Sequence, residues 1–377
     1  MKIALVVHDF TVTEGHGRYV VELARELSAE HEVHVFASTF QDIDLPGVTR
    51  HKVWTIQKPY IAKVMCFLAL SSILIKRKKF DIIHTQGICT LKATIVTCQF
   101  CQAAWREVFL SGATESVPLL KRLYYRFLMG IIVFLEKVLY RKDAVKRIIV
   151  GSENVKRELV KFYRADAAKI DIVHYGVNLN EFAPDEKARF RDEIRKKYAI
   201  PPDVPTLMFA GEYKRKGLGH LLRALAEFRG VNFRLLVVGY GDDAFFRKLA
   251  QDLGIGADVI FTGKVYDIHR YYAAADIFVF PTLYEPFGLV IVEAMVAGCA
   301  TVTSRAAGAA ELIEHGKDGL VLENPGNPAE IAAAIRTLFE DDALRQKLGR
   351  NAVRKMKKFP WKKMADTIEA IYRSVLR

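Results

Sequence analysis

Short apolar runs alternate along this chain with longer runs in which apolar residues recur every three or four positions. Ile3 to Val7 has strand length, and Arg18 to Ala29 places Val20, Val21, Leu23, Ala24 and Leu27 on one side of a helix. Val33 to Ala37, Ile82 to His84, Thr94 to Thr97 and Ile148 to Val150 continue the strands, with helical patterns between them. Strands apolar throughout and separated by helices predict a parallel sheet covered on both faces. The alternation pauses from Tyr175 to Pro205, where Gly176, Pro184, Pro201, Pro202 and Pro205 surround a charged helix from Asp185 to Tyr198. A second cycle begins with a strand from Leu207 to Ala210 and a helix from Leu218 to Phe228. Leu235 to Val238, Val259 to Phe261, Ile277 to Phe280, Ala300 to Thr303 and Leu320 to Leu322 are its further strands.

The chain's 377 residues exceed what one core organises. The pattern predicts two doubly wound α/β domains, over 1–175 and 176–359, with a ligand cleft between the carboxyl ends of their sheets. The opening MKIALVVHDF is too short an apolar stretch for a signal peptide and reads as a first buried strand. Five cysteines, Cys66, Cys89, Cys98, Cys101 and Cys299, sit mostly in apolar runs. Their odd number and setting predict buried free thiols and a cytoplasmic protein. Cys98 and Cys101 form a lone CxxC with no second ligand pair in view.

Net charge is +13, and its placement matters more than its size. Between Leu119 and Arg147, eight basic residues meet only Glu136 and Asp143, interleaved with large apolar side chains. Tyr60 to Lys79 is similar and ends in Lys76, Arg77, Lys78 and Lys79. Uncharged runs such as Val64 to Ile75 fall short of the roughly 20 residues that span a bilayer. Segments 60–79 and 119–147 therefore read either as helices lying on an anionic membrane surface or as core helices with solvated basic edges. No nucleic-acid-binding motif accompanies the charge, so nucleic acid is not an expected partner.

Four glycine turns follow strands. HDFTVTEGHGRYVVELA carries Gly15 and Gly17 before a helix, where backbone amides can approach a phosphate or sugar, or merely make a tight turn. Gly211 to Gly217, GEYKRKG, sets Lys214, Arg215 and Lys216 at a helix start, which suits a diphosphate. It is not a P-loop, because GxxxxGK[ST] is absent. Gly239 to Asp242, GYGD, and Phe261 to Val265, FTGKV, are weaker signals.

The most informative run is PTLYEPFGLVIVEAMVAG, from Pro281 to Gly298. Glu285 lies in a loop after a strand, Pro286 fits a helix start, and Phe287 to Met295 is predicted to be helical. Phe287, Gly288, Leu289 and Val290 then offer first-turn amides to phosphate oxygens, aided by the helix dipole. Glu293 stands about two turns on, so the two carboxylates can hold sugar hydroxyls on either side of one diphosphate. The plainer reading makes Glu285 a dipole-favoured charge and Glu293 an exposed helix acid. Asp42 and Asp44 form a DxD in an early loop and read as a surface turn.

In this order, EGHGRYVVELA, VGSENVKREL, KIDIVHYGVNLNEFAP, GEYKRKG, FTGKV, EPFGLVIVE, AAGAAELI and GKDGLVL resemble the serial landmarks of the family 4 retaining glycosyltransferases, over nearly the whole chain. The resemblance implies the GT-B fold, with two Rossmann-like domains facing a central cleft. The first would bind the acceptor and the second the nucleotide sugar, and a final helix over 360–377 would cross back to the first. It implies catalytic roles for Glu285, Arg215 and Lys216: Glu285 on donor hexose hydroxyls, the two cations on the leaving diphosphate. Glu293 would bind the ribose, Lys264 would lie beside the base, and the Leu289 and Val290 amides would assist. Gly15 would let the first loop approach the donor.

The sequence departs from the family pattern at two positions. Glu212 stands where many members have arginine, and VTCQF places Gln99 where many have histidine. His84 and Gln99 are thus the acceptor-side candidates. The RKG turn, the missing histidine and the basic apolar first half resemble the lipopolysaccharide core glucosyltransferases within the family. Implied substrates are a UDP-sugar, or alternatively a GDP-sugar such as GDP-mannose, and a lipid-linked or oligosaccharide acceptor. No metal or prosthetic group is expected. The expected location is peripheral, on the cytoplasmic face of the inner membrane. A sugar-nucleotide sensor on the same scaffold is the non-enzymatic alternative.

Overall fold

The computed structural model describes residues 1–13, 15–110, 119–182 and 184–377. Two compact units emerge. One takes Met1–Glu107, the stretch ending at Gly176, and Trp361–Arg377; the other takes Val177–Pro360 and a short segment beginning at Val108.

The first unit begins β1 Lys2–Val6, β2 Asp9–Phe10, α1 Gly15–Leu27, β3 Glu32–Ala37, β4 Thr39–Phe40, β5 Val48–Lys52 and α2 Tyr60–Lys76. It continues β6 Ile82–Gln86, β7 Ile95–Cys98, α3 Gln102–Leu110, α4 Leu119–Tyr140, β8 Arg147–Val150, α5 Glu153–Tyr163 and β9 Ile170–Ile172. Seven strands form a parallel sheet in the order β5-β3-β1-β6-β7-β8-β9. In register, Leu5 of β1 stands between Val35 of β3 and His84 of β6, and all three are buried. The inner strands are buried along nearly their whole length because helices cover both faces.

α2 and α4 each bury one face and expose another that is also apolar. Val64, Phe67, Leu68 and Ile75 of α2 are buried while Met65, Leu70 and Ile73 are exposed. On α4, Leu128, Ile132 and Leu139 are buried while Leu123, Phe127 (68% exposed) and Phe134 (63% exposed) face solvent. Among the described residues no helix is long and apolar enough to cross a membrane. All five cysteines are free thiols, and all except Cys66 are buried.

The second unit runs α6 Pro184–Lys197, β10 Thr206–Glu212, α7 Leu218–Leu225, β11 Arg234–Tyr240, α8 Asp243–Asp252, β12 Val259–Gly263 and α9 Ile268–Ala274. β13 Ile277–Phe280, α10 Leu289–Val296, β14 Ala300–Ser304, β15 Leu320–Leu322, α11 Pro328–Glu340 and α12 Asp342–Met356 complete it. Its six strands are parallel in the order β12-β11-β10-β13-β14-β15. Leu207, Phe209, Leu235, Val237, Ile277 and Val279 pack beneath α7, α8 and α11 in one buried cluster. The strand order reverses direction at β10, between β11 and β13, which is where an open α/β sheet leaves a crevice at its carboxyl edge.

The last helix, α13 Trp361–Leu376, belongs to the first unit and packs on α1. Ile368 and Tyr372 are fully buried there, and Glu369 meets His31 at 3.2 Å.

Candidate active site

In the second unit, the carboxyl ends of β10, β11, β12 and β13 and the start of α10 bring the chemistry together. β10 ends in Gly211 and Glu212, and a tight turn from Tyr213 leads into α7. Glu212 does not reach outward as a phosphate ligand. Its carboxylate accepts the amides of Lys214 (3.1 Å) and Arg215 (2.9 Å), and so folds the turn that displays the cations. Gly217 caps α7 at φ +82°, and a β-carbon there would stand 2.1 Å from the Pro281 carbonyl oxygen. Only glycine allows the turn to pass so close to the β13 exit.

Glu285 is held by backbone. Its amide donates to the Ala306 carbonyl (3.2 Å) and its carbonyl accepts from Gly308 (2.8 Å). Ala309 donates to the Phe287 carbonyl at 2.7 Å, so the loop after β14 clamps the whole Glu285–Phe287 segment. The Arg215 carbonyl accepts from Leu283 (3.1 Å), which ties the cationic turn to the same loop. The Glu285 carboxylate contacts the Lys216 ammonium and lies 3.8 Å from Arg215. Arg215 also donates to the Tyr284 carbonyl at 3.3 Å. Burial first, and the Arg215 charge second, press the Lys216 pKa well below the usual lysine value. The Glu212 charge works against that pressure.

The helix expected from Phe287 begins two residues later, at Leu289. Gly288 takes φ +101° as its cap, a conformation outside the helix, so Phe287 and Gly288 precede the first turn. Leu289 and Val290 are the first two helical residues, and their amides lack partners within the helix. Glu293 is not an exposed acid. It is buried and accepts a bond from the Tyr272 hydroxyl at 3.1 Å. Lys264 follows β12, exposed, with its ammonium 4.2 Å from the centroid of the Tyr240 ring. Tyr240 ends β11, half exposed, and was not singled out by the sequence; an aromatic closing a strand before GD is its only signal. The Ala306–Ala309 clamp acts through backbone, so its side chains carry no chemistry of their own, and its signal in the sequence is the AAGAAELI landmark. The assembled edge offers the cations Arg215, Lys216 and Lys264, two helix amides, the carboxylates Glu285 and Glu293 and an exposed aromatic face, a set suited to a nucleoside diphosphate with a polyol attached.

The first unit holds the remaining candidates. Gly15 and Gly17 both lie within α1. A β-carbon on Gly17 would stand 2.4 Å from the Thr11 carbonyl oxygen, so glycine here permits close packing of helix on loop. His84 corrects the acceptor-side expectation. It is fully buried, with Nδ1 bonded to the Tyr372 hydroxyl (2.5 Å) and Nε2 to Thr97 (2.6 Å). Burial lowers its pKa to about 3, so it is a neutral link between the sheet and α13 with no ring nitrogen to spare. Gln99 donates to the Gln86 carboxamide at 2.7 Å, and both line a pocket at the carboxyl ends of β6 and β7.

Residues 13–181 match the Glycosyltransferase Family 4 model and residues 190–355 the Glycosyl transferases group 1 model. The D-inositol 3-phosphate glycosyltransferase of Corynebacterium kroppenstedtii is 33% identical over 248 residues, 62% of this chain and 54% of that protein. The match thus spans about half the length of that curated relative. Among solved structures, WaaG, a glycosyltransferase involved in lipopolysaccharide biosynthesis, superposes with a TM-score of 0.83 at 20% identity, over 98% of this chain and 99% of that one. HepE from Anabaena, in complex with UDP and glucose, gives 0.74 at 18% identity, over 99% and 100%. These low identities speak for the fold, while the two successive family regions speak for kinship. The chain belongs to the family 4 glycosyltransferases of GT-B fold.

Proposed function

We propose that this chain transfers a hexosyl group, glucose from UDP-glucose, to a saccharide carried on a lipid, with retention of anomeric configuration. The gathering of Glu285, Arg215 and Lys216 beside the amide end of α10 carries the reading. Binding a donor would separate the ion pair. Lys216 and Arg215 would turn to the diphosphate, and Glu285 would accept hexose hydroxyls. The bond between the anomeric carbon and the phosphate oxygen breaks, and Arg215, Lys216 and the Leu289 and Val290 amides meet the negative charge that appears on the departing oxygen. The acceptor hydroxyl oxygen bonds to the same face of that carbon and passes its proton to the leaving phosphate. Positioning and charge stabilisation then supply catalysis without a protein nucleophile. Glu293 would hold the ribose and Tyr240 with Lys264 would flank the base.

UDP binding by HepE and the lipopolysaccharide role of WaaG support the donor and the acceptor class. The exposed apolar faces of α2 and α4 favour an acceptor at a membrane. A second reading, a soluble cyclitol phosphate as acceptor, draws on the curated relative. Screening UDP-glucose and GDP-mannose for hydrolysis and transfer tests the donor. Glu285→Ala should cut turnover about a hundredfold or more with the circular dichroism spectrum unchanged. Near-normal turnover in that variant would sink the assignment, and binding without hydrolysis or transfer would identify a sensor.

A further inference from the structure

The pocket of about 130 Å³ in the first unit is built by elements whose remaining chemistry no other part of the mechanism uses. Its volume is several times the roughly 30 Å³ share of one water. α2 contributes Tyr60 and Val64, α4 contributes Ile132 and Glu136, and β6 and the β7 exit contribute Gln86 and Gln99. Two polar atoms of its lining residues, His8 Nδ1 and Gln86 Nε2, are buried without a hydrogen-bond partner. An orphaned polar atom next to space is an invitation to a ligand, because leaving it unmade is costly. Gln86 is 7% exposed and Glu136 4%.

Glu136 is positioned from two sides. The Gln102 amide at the start of α3 donates to its Oε2 at 3.2 Å, and the Tyr163 hydroxyl of α5 donates to the same oxygen. Tyr163 is itself fixed by the Ala103 amide at 3.1 Å. Both bonds converge on Oε2, which leaves Oε1 for a ligand hydroxyl. No lysine or arginine lines this pocket among the described residues, in a chain with an excess of 13 positive charges. Lys63, which acts on His8 electrostatically, is paired with Asp9 at 3.6 Å. A phosphate would find neither lysine nor arginine here, only the imidazoles of His8 and His16. A neutral ring bearing several hydroxyls, each both donor and acceptor, matches two imidazoles, three carboxamides and a carboxyl beside an aromatic wall.

We infer that this pocket seats one neutral polyhydroxylated ring of the acceptor, and that Glu136 reads its hydroxyls through Oε1. The inference rests on the glycosyl-transfer reading and deepens it by naming the acceptor class as an uncharged saccharide ring. Burial raises the Glu136 carboxyl to about 8, so near neutrality it is a protonated donor, and a carboxamide is its closest mimic.

The test is saturation-transfer NMR on the whole protein. The probes are methyl α-glucopyranoside, methyl α-mannopyranoside and myo-inositol, with glucose 6-phosphate as the anionic arm. At least one neutral ring should bind, and more tightly than the phosphate. Gln86→Leu and Glu136→Leu should each weaken it about tenfold, the worth of one hydrogen bond to a buried partner. Glu136→Gln should restore the affinity, which a merely structural loss would not do. Binding by none of the neutral rings, a preference for the phosphate, or wild-type affinity in both leucine variants overturns the proposal. Donor hydrolysis by the unmodified protein is read alongside. Hydrolysis without ring binding removes the pocket and keeps the transfer reading, whereas ring binding with no hydrolysis or transfer of any donor removes the transfer reading instead.

Discussion

A buried ammonium and a buried carboxylate in contact offset each other's desolvation only while both are present. The side chains of Lys216 and Glu285 are 9% and 15% exposed, so each depends on the other until a donor arrives. Lys216→Met should therefore lower stability by about 3 kcal/mol, and Glu285→Gln should also destabilise by stranding the lysine. The double variant Lys216→Met/Glu285→Gln should lose about 1 kcal/mol less than the sum of the singles in urea unfolding. Additive losses would show that the pair is not coupled. Glu136 presents the opposite case, a carboxyl with no cation against it among the described residues. Burial raises it from 4.5 to about 8, more than the Tyr163 and Gln102 bonds lower it. The folded chain keeps a proton there that the unfolded chain releases near pH 4.5. Its contribution to stability is full below that value and is lost as pH rises through about 8. Glu136→Gln removes this titration, so the wild-type thermal midpoint should fall relative to the variant's across that window. A pH-independent difference would show that Glu136 is already ionised. Glu285, Arg215 and Lys216 were legible in the sequence because charges sat in glycine-bearing runs directly after apolar strands. Glu136 was not, because in sequence it is one acid opposing a basic run. Its burial depends on Tyr163 and on the start of α3, which only the fold brings to it.

At the scale of elements, the inner strands announced themselves because a parallel strand covered on both faces is mostly apolar. β5 escaped notice because it is an edge strand, and VTRHK alternates nothing apolar against the core. β9 escaped because three residues, IDI, carry too little pattern. The helix read from Leu218 to Phe228 tightens after Leu225 into a 3₁₀ turn, a common way for a helix to end. The start of α10 was misplaced by two residues because a left-handed Gly288 leaves no trace in a hydrophobic pattern, yet it decides which amides point outward. Glycine constraints of this kind can be tested at Gly217. Gly217→Ala combines a strained φ with a clash on the Pro281 carbonyl, and the strain alone costs on the order of 1–3 kcal/mol. The turn carrying Arg215 and Lys216 must then move. Calorimetry should find UDP affinity reduced at least tenfold, alongside a lower thermal midpoint. Unchanged affinity would mean that this turn does not touch the diphosphate.

Across the whole molecule the charge is unevenly spent. Asp276 binds Arg191 and Arg195, Glu323 binds Arg305, and Asp318 binds Lys355, so much of the second unit's charge is locally paired. On α4, by contrast, exposed Arg126 and Lys137 stand among exposed Leu123, Phe127, Phe134 and Val138, and Arg141 follows just beyond its end. A core helix with a solvated edge would expose the charges alone. Exposing large apolar side chains as well is the arrangement of a helix that rests in lipid headgroups. α2 repeats it with Met65, Leu70 and Ile73, led in by exposed Trp54 and Ile56. Both helices also wall the pocket that contains Glu136, so a membrane held by their outer faces would present its glycans beside that pocket. The protein should therefore float with liposomes containing phosphatidylglycerol and not with phosphatidylcholine alone, and added salt should release it. Replacing Arg126, Lys137 and Arg141 by serine should remove about 1 kcal/mol per charge, which together lowers the partition coefficient more than a hundredfold. Phe127→Ser with Phe134→Ser should weaken binding at every salt concentration, because their contribution is apolar burial that salt does not screen. Failure of the unmodified chain to float at low salt would return both helices to the core-helix reading and favour a soluble acceptor.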